Sequence, residues 1–301
     1  MTDNPKDVFA DARYSVEFGT PAFRVAEPTP DDSGIRIVPD KIGRVAWNSV
    51  TGRAMGLVGP ALTINQPEEH VNVFEELADR NYIDRNKIRC MSWNEGADLM
   101  VKARTGRVGE VKTKRNVGEV VEHQIVLLDN YIGKRRQLWT SQDNVLVCTN
   151  GMTRAVVHAS SQLRHTKSIK ERFQQAVIAI RQEMDGFGTQ IEHLQKLADT
   201  PLNDRGWKAI LDEWFPRDEA TGERSTRTQN QLDHVERLYH EGAGADSGSL
   251  WGAYQAATNW ITHHRGRDGS REIQNVAGTG ATLNRTILTD LISRAEQAAA
   301  L

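Results

Sequence analysis

The apolar residues of this chain change period near its middle. Before about residue 166 they come in short runs bounded by turn residues; after it they recur at three- and four-residue steps. The first pattern predicts strands and the second helices. Val45-Ala-Trp47 and Met55-Gly-Leu57-Val58 are split by Thr51-Gly52, as in a hairpin. Cys90 to Trp93, Asp98 to Lys102, Val120 to Leu128, Arg136 to Thr140 and Val145 to Cys148 complete a set of about six strands. One helix interrupts them, with Val71, Phe74, Leu77 and Ala78 at helical spacing behind Pro67-Glu68-Glu69, a good helix start. Ahead of all this, Pro21, Pro28, Pro30, Pro39 and Asp31-Asp-Ser-Gly34 predict an extended arm rather than packed elements.

In the second half, Ile169, Phe173, Ala176, Ile180, Met184, Phe187, Ile191, Leu194 and Ala198 form a stripe over about four heptads. Gly186 and Gly188 predict a bend or break within it. Trp207 to Phe215 predicts a short helix stopped by Pro216, and Leu232, Val235 and Leu238 another that ends at Glu241-Gly-Ala-Gly. Leu250, Trp251, Tyr254, Ala257 and Ile261 predict an amphipathic helix, and Asn284 to Ala300 a last one. The expected fold class is α+β: a β-rich N-terminal half with a mixed or antiparallel sheet, and a helical C-terminal half packed on it. The expected divisions are an arm over 1–40, a β-rich core over 41–166, and a helical region over 167–301 sharing that core near Cys148.

The two halves meet at Val145-Leu-Val-Cys-Thr-Asn-Gly-Met152. Its apolar run predicts a buried strand and Asn150-Gly151 a tight turn. Met152, Ala155, Val156 and Ala159 then fall at helical spacing. A strand, a turn and a helix N-terminus would present backbone N–H groups to an anion. Arg154, Arg164 and His165 follow close behind.

Composition narrows the class. The hydrophobic fraction of 38% and the charged fraction of 26% are those of a folded, soluble chain. No apolar run approaches the ~20 residues of a membrane span. The first residues carry no apolar segment behind a basic start, so no secretory signal is expected. Cys90 and Cys148 make no disulfide framework and fit a reducing cytoplasm.

The net charge of −2 hides an uneven distribution. Residues 101–181 carry 15 basic and 6 acidic side chains, net +9, between flanks of −5 and −6. A basic middle is the footprint of a polyanion-binding surface, although charge runs also arise as solvated faces. Lys102, Arg104, Arg107, Lys112, Lys114 and Arg115 lie in a Gly- and Thr-containing stretch opposed only by Glu110. This predicts a flexible basic hairpin or loop able to follow a phosphate backbone. Lys134-Arg135-Arg136 and Arg164-His165-Thr-Lys167 add two clusters, and Trp93, Tyr131 and Trp139 are candidate stacking faces. The candidate nucleic-acid-binding set is Lys102, Arg104, Arg107, Lys112, Lys114, Arg115, Arg135, Arg136, Arg154, Arg164, His165 and Lys167. No recognition helix or zinc finger is present, so a single-strand backbone binder fits better than a sequence reader.

Other chemistries have weaker signals. Asp98 followed by Glu110-Val-Lys112 resembles the acid and acid-x-Lys of metal-dependent nucleases. One or two such matches arise by chance among 40 acids and 11 lysines. None of the nine histidines forms a His-x-x-x-His pair, and adjacent His263 and His264 point about 100° apart on a helix. No catalytic triad, nucleophile elbow or P-loop is present. The expectation is for no metal, no cofactor and no catalytic constellation. The long stripe from Ile169 to Ala198 leaves a non-catalytic, oligomeric interaction protein as another reading.

Several of these segments together resemble a phage- and plasmid-like family known as domain of unknown function 932. They are Val145 to Met152, Arg164-His165-Thr166, Leu250-Trp-Gly-Ala-Tyr-Gln-Ala-Ala-Thr258 with His263-His264-Arg265, and Met55-Gly-Leu-Val-Gly59 before the helix at Phe74. The resemblance runs from about Arg44 to Ala281. It departs from the family at Gln255, where members commonly have Asn, and after Gly56-Leu-Val-Gly-Pro60, which lacks the usual aromatic. The resemblance implies a mobile-element protein and a setting in early DNA metabolism, without supplying a mechanism. The expectation is a cytoplasmic phage or plasmid protein that binds single-stranded DNA non-specifically, as in strand annealing, recombination or replication. Lys112, Lys114, Arg115, Arg135, Arg164 and Lys167 would carry phosphate contacts. A homo-oligomer is compatible with this role, and no membrane partner is expected.

Overall fold

A computed structural model describes residues 7–20, 22–26, 35–39, 43–113, 119–146, 153–242, 245–265 and 271–300. The fold is α+β. In order, the elements of the first half are β1 (Val16–Gly19), β2 (Ala22–Ala26), β3 (Ile35–Pro39), β4 (Arg44–Asn48), β5 (Ala54–Val58), α1 (Pro67–Asp79), β6 (Ile88–Trp93), β7 (Asp98–Val111), β8 (Glu119–Asn130), β9 (Gln137–Leu146) and β10 (Thr153–Leu163). Helices follow: α2 (Ile169–Asp185), α3 (Phe187–Asp199), α4 (Asp204–Trp214), α5 (Thr226–Glu241), α6 (Leu250–Asn259), α7 (Arg271–Ala277) and α8 (Thr279–Ala299). Three sheets have the orders β1-β4-β5, β2-β3 and β10-β9-β8-β7-β6. No helix among the described residues is long and apolar enough to cross a membrane.

The chain forms two compact units that interleave in sequence. The first comprises residues 1–105, 125–139 and 160–181; the second comprises 106–124, 140–159 and 182–301. Each of the strands β7 to β10 therefore contributes one part to each unit.

In the first unit, β6 pairs antiparallel with β7, Arg89 opposite Lys102 and Trp93 opposite Asp98. Helix α1 starts where Pro67 and the two acids predict it. Gln66 and Glu69 exchange side-chain and backbone bonds as a capping box. Its buried side is His70, Val71, Phe74 and Leu77. The Phe74 ring stacks on Trp139 at 5.4 Å, and Phe173 of α2 lies 5.7 Å from Trp139. Leu99, Val101, Ile125 and Leu127 complete this core. The N-terminal segment is more ordered than its prolines predict. Phe9, Ala12, Tyr14 and Val16 are buried, and β1 pairs with β4. These apolar residues sit among polar ones at no regular period, so only tertiary packing reveals them. Tyr14 donates its hydroxyl to the Gly96 carbonyl at 2.6 Å, and at φ +91° Gly96 takes a backbone conformation that suits glycine.

The core of the second unit is built by α3, α4, α5, α6 and α8 on Val111, Val121 and Val145. Asn203 and Ser225 cap α4 and α5 through bonds from the amides of Gly206 and Thr228. Trp207 stacks on Tyr239 with ring centroids 4.2 Å apart. Every residue of α6 is buried, Gln255, Thr258 and Asn259 included. The amphipathic helix expected from Leu250 to Ile261 is instead a central helix, enclosed all round. It continues into a turn of π-helix over Trp260–His264. The final helix also starts earlier than expected, at Thr279, and takes in Gly280.

Two expected elements differ more deeply. Residues 153–163 form β10, not a helix, so the helix N-terminus expected after Asn150-Gly151 is not there. Asn150, Gly151 and Cys148 themselves lie outside the described residues. The spacing of Ala155, Val156 and Ala159 suits a helix, but Thr153, Ala155, Val157 and Ala159 suit a strand equally. β-Branched Thr153, Val156 and Val157 and the partner strand β9 decide it. The flexible hairpin or loop expected from Lys102 onward is, over Lys102 to Val111, the body of a 14-residue strand, β7, which lies beside β8 in the sheet. The two strands expected over 136–140 and 145–148 are one continuous β9 over their described residues.

Candidate nucleic-acid interface

The candidate site of the first unit rests on a buried carboxylate. Asp129 ends the apolar run of β8 and is fully buried. Its Oδ2 meets His70 Nε2 at 2.9 Å, its Oδ1 lies 3.2 Å from His165 Nε2, and the amide of Asn130 donates to Oδ1 at 2.7 Å. Burial works to raise the Asp129 carboxyl, but the contacts with the two imidazoles outweigh it and hold its pKa below the usual carboxylate value. Burial also works against a charged His165, and the contact with Asp129 outweighs it. The Arg135 carbonyl faces the ring and adds to the rise in its pKa.

This brace joins α1, β8 and the segment after β10. His165 is thereby fixed at a point where its neighbours Arg164 and Lys167 are exposed. On the adjoining turn, Arg136 donates to Gln162 Oε1 at 3.4 Å, while the Lys134 amide is held by Asn130 Oδ1 at 2.7 Å. The two clusters that the sequence separates by about thirty residues are thus neighbours. Lys134, Arg136, Arg164 and Lys167 have no carboxylate partner among the described residues. Arg135 does have one: its guanidinium meets Asp98 Oδ1 at 2.9 Å. Lys102 and Arg104 belong to the same unit, half-buried on one face of β7, with Arg89 opposite Lys102 on β6. Both make further polar contacts.

The remaining predicted residues fall elsewhere. Arg107 is in the second unit, where Asp185 pairs with it at 2.9 Å; Glu110 is therefore not its only opponent. The backbone of Lys112 is bonded in both directions to the Gln195 amide, and its side chain is exposed. Lys114 and Arg115 lie outside the described residues, as does the side chain of Arg154 on β10. The aromatic expectation is corrected as well. Tyr131 and Trp139 are 0% exposed and belong to the core, so neither offers a stacking face.

Asp98, the first acid of the nuclease-like pattern, is engaged within the fold. Both oxygens of Asp98 are taken, by Asn94, Asn130 and Arg135. No group of three or more His, Cys, Asp or Glu side chains among the described residues is arranged to hold a metal. Burial pushes the Cys90 thiol up to about 12, far from a thiolate nucleophile. His70 and His165 are buried and turned toward Asp129. They were not singled out together from sequence. The available signal was a histidine inside the apolar stripe of α1 and an Asp-Asn pair closing an otherwise apolar strand.

The family described as Domain of unknown function (DUF932) matches residues 54–288. The chain belongs to this family. No curated protein and no solved structure matches it. The DUF932 region begins at β5 and runs into α8, and it contains the whole Asp129 brace together with every candidate basic residue. It therefore includes material from both units.

Proposed function

We propose that this DUF932 protein binds single-stranded nucleic acid without sequence preference, in DNA metabolism of a phage or plasmid. The observation that carries the reading is the convergence of residues 134–136 with 164–167. It leaves four cations without carboxylate partners among the described residues, beside a buried support. Phosphate contacts from Lys134, Arg136, Arg164 and Lys167 fix a strand electrostatically and read no base edges. Lys102, Arg104 and Arg135 contribute to the local field even where they already have partners, and Lys112 is a separate exposed cation of the second unit. The reading requires neither a metal nor a nucleophile.

A salt titration of binding to a labelled oligonucleotide tests it. Binding is expected at about 50 mM salt and should weaken by orders of magnitude toward about 200 mM. Absence of binding at the lower concentration overturns the reading. A duplex bound more tightly than the single strand overturns the strand preference.

A further inference from the structure

Within the second unit lies a cavity of about 370 Å³ at the first turn of α5. Its size is in the range of roughly 300–1,000 Å³ usual for small-molecule sites. Trp214, Phe215 and Trp260 supply aromatic walls, and Arg227, Arg265 and Gln231 supply polar groups; among the described residues no Asp or Glu lines it. Trp214 is half-buried, while Trp260 and Phe215 are buried and meet edge to face at 5.7 Å. The Arg265 guanidinium lies 5.9 Å from the Trp260 ring centre and donates to the Thr279 hydroxyl at 3.1 Å. Arg227 is exposed and has no carboxylate partner among the described residues. It belongs to the N-terminal turn of a 16-residue helix, whose dipole adds positive potential at this place.

The geometry points to a binding site for a nucleoside phosphate. A flat heteroaromatic ring matches walls of Trp and Phe topped by a guanidinium. A phosphate matches two arginine forks with no competing carboxylate among the described residues. The cavity is too small for a long acyl chain and too charged for a neutral aromatic alone. The ligand is a free mononucleotide or one unpaired nucleotide of a bound strand; both present the same ring and phosphate. The site shares with the proposed function only its class of ligand, and it uses none of the residues of the first unit.

Calorimetry with a 5′-mononucleotide, its parent nucleoside and a short single-stranded oligonucleotide tests the site on the full chain, with tryptophan fluorescence as second readout. The mononucleotide should bind at least tenfold more tightly than the nucleoside. Arg227→Ala, at an exposed position, should weaken mononucleotide binding about tenfold without changing the circular dichroism spectrum. Oligonucleotide binding that competes with the mononucleotide assigns the site to a strand; mononucleotide binding without such competition assigns it to the free ligand. The assignment is overturned if the mononucleotide does not bind, if nucleoside and nucleotide bind equally, or if Arg227→Ala binds as the wild type does. A protein whose oligonucleotide affinity depends on Arg164 and Lys167 but which ignores mononucleotides fails here alone.

Discussion

Asp129 is the residue on which the candidate interface depends most. A carboxylate removed from water is costly unless it is paired and hydrogen-bonded, and here two imidazoles and a backbone amide meet that need. Replacing it with Ala leaves His70 and His165 buried without their shared partner. The expected cost is about 3–5 kcal/mol, read as a lower urea midpoint at unchanged m-value. pH acts through both partners. The pKa of His165 is raised above 6.5, so its contribution is fully present below 6.5 and is lost as pH climbs through the folded value. The pKa of Asp129 is lowered below 3.8, so its contribution is present above 3.8 and is lost as pH falls through its folded value. Wild type and His165→Gln should therefore differ most in melting temperature at mildly acidic pH and converge in alkali. A gap that widens above pH 6.5 would mean that His165 is not held charged by Asp129.

At the scale of elements, what was legible depended on whether local pattern and tertiary environment agreed. Helix α1 had its proline, its acids and its stripe, and the break at Gly186 separates α2 from α3 as the two glycines predict. Strands β7 and β10 depart from the pattern of their sequences for opposite reasons. The basic and small residues of β7 lower local strand propensity, yet neighbours on both sides supply its ladder. In β10 a spacing compatible with either period is settled by the adjacent strand. Gly109 shows what a loop reading of β7 could not: Ile191 of α3 occupies the space that a Cβ would fill there. Gly109→Val should cost about 1–3 kcal/mol through overpacking, whereas a flexible loop would accept the change. Thermal denaturation of the variant distinguishes the two.

For the whole molecule, the net charge of +9 over residues 101–181 was visible in the sequence, but its usable part was not. A charge run says how many cations are present, whereas binding depends on which of them lack partners and share a surface. Arg107 and Arg164 are indistinguishable by composition, yet one faces Asp185 and the other has no carboxylate among the described residues. Their neighbours follow from strand register and from the buried contacts of Asp129, both long-range in sequence. This difference makes a paired test possible. Each phosphate neutralised on a single strand contributes about 0.7 to the slope of log affinity against log salt. Replacing both Arg164 and Lys167 with Ala should therefore lower that slope by roughly 1.4 and weaken binding at low salt. Arg107→Ala removes a cation already opposed by an acid and should leave the slope within error of the wild type. Equal losses from the two variants would show that strands respond to the summed charge of the segment, and the local surface around Arg164 would lose its special role.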